Sequence, residues 1–296
     1  LMRALEGELP QRRYGQAVRL EVAANCPDAM ADFLLEEFEL KRDDLYQVDG
    51  PVNLNRLMAV YDLVDRSDLK YPSFTPGLPA TLGSGSDLFK LIRRGDFLLH
   101  PPYPSFLPVI DLLRQAAEDT NVLAIKQTLY RTGADSAIVE NLVKASEAGK
   151  EVTVVIELLA RFDERENIQL AHRLQEAGAH VVYGVVGYKT HCKMLLIVRR
   201  EGSGLRNYVH LGTGNYHSRT ARLYTDYGLF TAERKITEDV RRIFLQLTSL
   251  GRFKELHHLL QAPFTLHDTV LERIKREAEH AASGQQGRII LKINSL

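Results

Sequence analysis

Cysteine is nearly absent: Cys26 and Cys192 are the only two in 296 residues. Two such thiols cannot build the disulfide framework of a small secreted protein, so a reducing cytoplasm is the expected setting, with association to a membrane surface left open. No apolar run approaches the roughly 18 residues that would suggest a membrane span. The start lacks the basic-then-apolar pattern of a signal peptide. Formal net charge is zero, which removes any global attraction to nucleic acid, and no nucleic-acid partner is expected. An initiator is missing too: Leu1 precedes Met2. The last residues, Arg288 to Leu296, read as a strand with nothing after it to pair with. The chain is therefore expected to be a piece of a larger protein.

What is present is an ordinary globular composition, 45% apolar and 26% charged, with enough length for two domains. Charge is unevenly placed. Between Val185 and Tyr224 the basic residues are Lys189, Lys193, Arg199, Arg200, Arg206, Arg219 and Arg222, against the single acid Glu201. Such a strip either holds an anion or is a solvated basic face.

Along the chain, Ala17 to Val22 alternates like a strand, Asp28 is placed to cap a helix through about Phe38, and Val52 to Tyr61 reads as a second helix. The segment Tyr71 to Pro79 breaks regular structure and marks a domain boundary near residue 77. A helix is expected from about Phe106 to Glu118. Two strand–helix units follow: Val122 to Tyr130 with a helix from Ser136 to Glu147, then Val152 to Leu159 with a helix from Asp163 toward Gly178. Each helix ends in Glu-Ala-Gly, with glycine where a left-handed cap is wanted. Val181 to Tyr183 is a third strand. This is the pattern of an α/β fold with a parallel sheet.

Ligands in such sheets bind beyond the carboxyl ends of the strands, where Arg131 and Arg161 stand as candidates for gripping phosphate. Each could instead pair with a nearby carboxylate such as Asp135 or Glu157. Asp163 and Glu166 fit a capping box better than an acid–base pair.

Met194 to Val198 reads as a buried strand. Extended back, its period of two puts His191 and Lys193 on one face, with Cys192 turned into the core. An imidazole beside an ammonium suits phosphoryl transfer: the cation favours neutral imidazole, the nucleophilic form, and binds phosphate oxygens. The triplet alone is a weak signal. The strand Asn207 to Leu211 strengthens it by running into Gly212-Thr213-Gly214-Asn215, a loop able to offer backbone amides to phosphate. Tyr216, His217, Arg219 and Arg222 follow, and then an expected strand from Leu223 to Phe230 that carries Tyr224. His210 and His217 are lesser candidates for facing the site.

His-x-Lys followed by a Gly-Thr-Gly-Asn loop resembles the phospholipase D superfamily, whose full motif puts an aspartate where Val198 stands here. That departure argues against an ordinary phosphodiesterase. Leu129-Tyr130-Arg131, Ala160 to Glu164, Lys189 to Lys193, His210 to Asn215 and Thr220 to Tyr227 resemble the bacterial polyphosphate kinases of the first type. Gly50 to Leu54, Phe74 to Gly77 and Gly95 to Tyr103 extend the likeness over nearly the whole chain, in order.

The resemblance implies a phospholipase D-like sheet flanked by helices over 78–258. It implies the end of an α+β head domain over 1–77 and the start of a second phospholipase D-like domain over 259–296. It also implies an ATP:polyphosphate phosphotransferase working through a phosphohistidine at His191. Lys193 would bind the transferring phosphoryl group, Tyr224 the nucleotide, and Asn215 and Arg222 phosphates. Arg131 and Arg161 match a magnesium site. Because guanidinium has donors only, they would act on phosphates whose other oxygens hold Mg²⁺. ATP, ADP and polyphosphate are the expected partners, with homo-oligomers in the full-length protein. The family's amino-terminal domain and most of its second catalytic domain, with another essential histidine, are not in this sequence, so these residues alone are expected to be inactive. The competing readings are a phosphodiester hydrolase and a non-catalytic polyanion-binding module.

Overall fold

The structure is a computed structural model that describes residues 17–79, 82–83, 85–130, 132, 136–157, 164–185, 187–248 and 255–293. The chain divides into two compact units, Leu1–Thr75 and Pro76–Leu296.

In the first unit, β1 (Leu20–Ala23) pairs in parallel with β2 (Leu45–Val48). Between them runs α1 (Asp28–Glu37), which buries Ala31 and Leu35. The expected cap is shifted by one residue. Pro27 occupies the N-cap, and Asp28 lies in the first turn, where its charge complements the helix dipole. The helix expected from Val52 to Tyr61 is a 3₁₀ segment, Leu54–Ala59, followed by a single turn, α2 (Val60–Leu63). None of its residues is buried. A short helix without a packed face has little to sustain it.

The second unit is built on a seven-stranded mixed sheet of order β3-β9-β8-β7-β4-β5-β6. Its strands are β3 (Phe97–Leu99), β4 (Val122–Leu129), β5 (Glu151–Ile156), β6 (His180–Tyr183), β7 (Lys193–Glu201), β8 (Gly204–Gly212) and β9 (Gly228–Thr231). Helices α3 (Leu88–Arg94), α4 (Leu107–Glu118), α5 (Ala137–Glu147), α6 (Glu164–Glu176) and α7 (Arg234–Thr248) belong to this unit. The expected strand–helix units are β4–α5–β5 and β5–α6–β6, with both strand pairs parallel. Ser136 caps α5 by accepting the Val139 N–H at 3.3 Å. Gly149 and Gly178 hold φ of +80° and +89°, the left-handed geometry that closes each helix without a Cβ clash. One sheet face packs Val155, Met194, Leu196 and Val209 against Val240, Ile243 and Phe244 of α7.

Two expected strands differ. Of the stretch Leu223 to Phe230, only Gly228 to Phe230 is strand, the start of β9. His217 Nδ1 accepts the N–H groups of Arg219 and Thr220, which starts a 3₁₀ turn at Thr220–Arg222, so Tyr224 lies on irregular backbone. After α8 (Leu266–Ala282), Arg288 to Ile293 form no strand. Ile289, Ile290, Leu291 and Ile293 are exposed, and a strand without a partner has no ladder to hold it.

Part of the basic strip serves structure. Arg199 and Arg206 both reach Glu201, at 2.9 and 2.8 Å, and Arg199 also binds Asp119 at 2.7 Å. The Tyr208 hydroxyl donates to the same glutamate. This cluster centres on Glu201 at the hairpin end of β7, about 26 Å along the strand from Lys193. Glu201→Ala is expected to destabilise the fold by about 1–3 kcal/mol, read as a lower denaturation midpoint, because it leaves the hydroxyl of buried Tyr208 without its acceptor and takes a carboxylate away from Arg199 and Arg206. An unchanged midpoint would show that the cluster is solvated and contributes nothing.

Candidate functional site

The sheet topology gathers the sequence motifs at one edge. Parallel β4 and β5 end there, antiparallel β7 begins there, and Lys193 pairs with Gly212 at the end of β8. Gly228, which opens β9, pairs with both Gly212 and Leu99. Tyr130, Glu157, His191, the Gly212–Asn215 loop, Asp226 and His100 therefore converge on one rim.

The strand starts at Lys193 and does not extend back to His191. His191 is exposed on the lead-in, and Lys193 is 6% exposed. Both still meet one ring: the His191 imidazole lies edge-on to Tyr130 with centroids 5.0 Å apart, and Lys193 Nζ is 5.3 Å from the same centroid. Lys193 Nζ also donates to the His191 carbonyl at 2.6 Å. Burial pushes the Lys193 ammonium down to about 8, against the opposing pull of the Asp226 carboxylate.

The backbone on both sides of His191 is held by side chains. Glu157, 3% exposed, accepts the Thr190 N–H at 2.8 Å. Thr128 donates to the Cys192 carbonyl at 2.7 Å. Cys192 is exposed rather than part of the core. It lines a cavity of about 340 Å³ together with Thr190, His191, Ile243 and Phe264. Desolvation of the sulfur pushes the thiol up to about 11, so it stays neutral.

Across the rim, the Thr213 hydroxyl donates to Asp226 Oδ1 at 2.9 Å, and the Thr213 N–H donates to the Tyr227 carbonyl at 2.9 Å. A Cβ on Gly214 would lie 2.2 Å from Asp226 Oδ2, so the glycine is needed for this approach. His100 secures the other side: its Nδ1 bonds the Asp226 carbonyl at 2.8 Å and its ring stacks on Tyr227 at 4.2 Å. His210 is buried beneath the loop, with Nδ1 2.9 Å from the Tyr216 hydroxyl. Burial drops this histidine to about 3, so it is neutral across the physiological range.

An exposed imidazole that shares the Tyr130 ring with a buried ammonium, itself paired with the first glycine of the loop, is suited to receiving a phosphoryl group. Residues 87–253 match the family profile for the polyphosphate kinase C-terminal domain 1, and residues 1–60 match the polyphosphate kinase middle domain. The chain belongs to the polyphosphate kinase family. It is 57% identical over 296 residues to a polyphosphate kinase of Pseudomonas aeruginosa, and 56% identical to one of Neisseria meningitidis. Each alignment takes in 100% of this chain and 43% of the relative, so the chain spans less than half the length of these curated relatives. The crystal structure of polyphosphate kinase from Porphyromonas gingivalis superposes with a TM-score of 0.74 at 30% identity, covering 90% of this chain and 41% of that one.

Of the residues singled out in the sequence, His191 and Lys193 stand together at Tyr130. Asn215 is partly buried on the loop, where its carbonyl accepts the His217 N–H at 2.8 Å. Arg222 and Tyr224 are exposed on the segment leading to Asp226. Arg131, Arg161 and Asp163 lie outside the described residues. His210 and His217 turn their Nδ1 atoms to Tyr216 and to a turn. Sequence reasoning passed over Thr128, Asp226 and His100. Asp226 had a signal, since it falls inside Thr220 to Tyr227. Thr128, inside an apolar strand, had none.

Proposed function

We propose that the protein carrying this chain is an ATP:polyphosphate phosphotransferase with His191 as the phosphoryl acceptor. The observation that supports it most is the held, exposed imidazole of His191 beside Lys193, in a chain 57% identical to a protein named polyphosphate kinase. A ring nitrogen of His191 attacks the γ-phosphorus of ATP, the bond to the bridging oxygen breaks, and ADP leaves. The terminal oxygen of polyphosphate then attacks the phosphohistidine, freeing the imidazole and lengthening the chain by one phosphate. Both steps are reversible. Lys193 neutralises the moving charge, while Arg131, Arg161 and Arg222 grip phosphate oxygens, Asn215 sits with them on the loop, and Tyr224 meets the nucleotide.

The donor set suits magnesium that arrives on the nucleotide. No group of three His, Cys, Asp or Glu side chains able to hold a metal occurs among the described residues. Mg²⁺ commonly takes one or two carboxylates plus phosphate oxygens, and Asp226 is a carboxylate on this rim. When bound, the ion would neutralise phosphate charge. A homo-oligomer working in the cytoplasm completes the proposal. No helix among the described residues is long and apolar enough to cross a membrane.

The test incubates the full-length protein with γ-labelled ATP and Mg²⁺. The expected product is an acid-labile, base-stable protein label that chases into polyphosphate. Active enzyme that never carries label overturns the proposal. Label discharged to water alone would favour a hydrolase, a reading that Val198 at the aspartate position already disfavours.

Lys193 gives the reaction a pH signature. Its ammonium is present below about 8 and is lost above it. The labelling rate is therefore expected to fall as pH rises through about 8. Lys193→Arg should move that fall well above pH 10, because guanidinium stays charged. The same inflection in both proteins would assign it to another group.

A further inference from the structure

Antiparallel pairing between β4 and β7 stops at Gln127 and Leu195. Beyond that point β4 stays with β5 through Leu129 and Ile156, and β7 stays with β8 through Lys193 and Gly212. The two strands fork, and Thr128 sits in the fork, 2% exposed. Its hydroxyl accepts the Met194 N–H at 3.0 Å and donates to the Cys192 carbonyl at 2.7 Å. A side chain thus replaces the backbone ladder where the ladder has ended, leaving the strands open enough for Tyr130 to stand between β4 and the His191–Lys193 segment. The hydroxyl's one donor is committed to the carbonyl of the residue directly after His191.

We propose that Thr128 is a positioning residue for His191: its bridge fixes the Cys192 backbone and so holds the imidazole in its place at the edge of Tyr130. The inference rests on the reading of His191 as the acceptor. A positioning role predicts a loss in the transfer step and not in nucleotide affinity, since an error of about 1 Å in a reacting group is enough to slow a reaction about 100-fold.

The experiment compares Thr128→Val, which keeps the shape and deletes the hydroxyl, with Thr128→Ser, which keeps the hydroxyl and deletes the methyl. Both are made in the full-length protein and followed by single-turnover labelling from γ-labelled ATP with Mg²⁺, alongside KM for ATP and a thermal melt. Thr128→Val is expected to label roughly 10–100-fold more slowly with KM within about twofold of wild type, and Thr128→Ser to label within about threefold. Wild-type labelling by a folded Thr128→Val protein overturns the inference, as does a Thr128→Ser protein that folds and labels as slowly as the valine variant. If Thr128→Val does not fold, the serine variant decides. Labelling within about threefold supports the hydroxyl's role, and a deeper loss in a folded protein overturns it. His191→Ala run in parallel separates the two layers, because label that survives there removes His191 as the acceptor and leaves nothing for Thr128 to position.

Discussion

His191→Ala in the full-length protein is expected to abolish the protein-bound label and to lower polyphosphate synthesis by on the order of 10³-fold or more, the scale seen when a nucleophile is deleted. The structure gives reasons for so large an effect. His191 is exposed while the backbone on both sides of it is tied down by Glu157 and Thr128. Neither histidine flanking the glycine loop is placed to stand in. His210 is buried and bonded to Tyr216, and His217 Nδ1 serves a turn. The fold should survive the change, because the imidazole is not part of the core. Synthesis within about tenfold of wild type would mean that phosphate passes from ATP to polyphosphate without this histidine, a loss too small for a missing nucleophile.

Gly228→Ala is expected to damage the fold itself. A Cβ at this position would lie 2.6 Å from His210 Nε2. The ring cannot retreat: it is 3% exposed, bonded to Tyr216 and packed 4.7 Å from Phe230. Overpacking of this kind costs about 1–3 kcal/mol, which for a unit of this size lowers the melting midpoint by several degrees, roughly 2–4 °C per kcal/mol. Adding His210→Ala removes the obstructing ring, so the double variant should lose less stability than the two single changes summed. Simple additivity would show that strand β9 moves away from the ring and that the clash is not the cause.

Much of the second unit was legible because its signals are local. The period of the apolar runs and the glycines at 149 and 178 suffice to place β4–α5–β5–α6–β6. The site was legible only as separate pieces. His191 and the Gly212–Asn215 loop are far apart in sequence from His100 and Thr128, and what joins them is the pairing of strands across the sheet, which no short window contains. Where sequence reasoning missed, tertiary contacts had decided the matter. Leu223 to Tyr227 has the composition of a strand, but a histidine-capped turn and the His100–Asp226 bond hold it as irregular backbone. Ile289 to Ile293 has the same composition, and the described residues offer it no partner. The basic strip looked like one patch because charge was counted along the chain. The fold sends Arg199 and Arg206 to Glu201 at the far end of the hairpin and leaves Lys193 at the rim.

The most direct measurement places the phosphate. The full-length protein, labelled from ATP and digested without exposure to acid, should yield one phosphorylated peptide, with fragmentation assigning the phosphoryl group to the imidazole of His191 beside Cys192. A phosphoryl group on His210, on His217 or on a carboxylate such as Asp226, with His191 unmodified, would contradict the account.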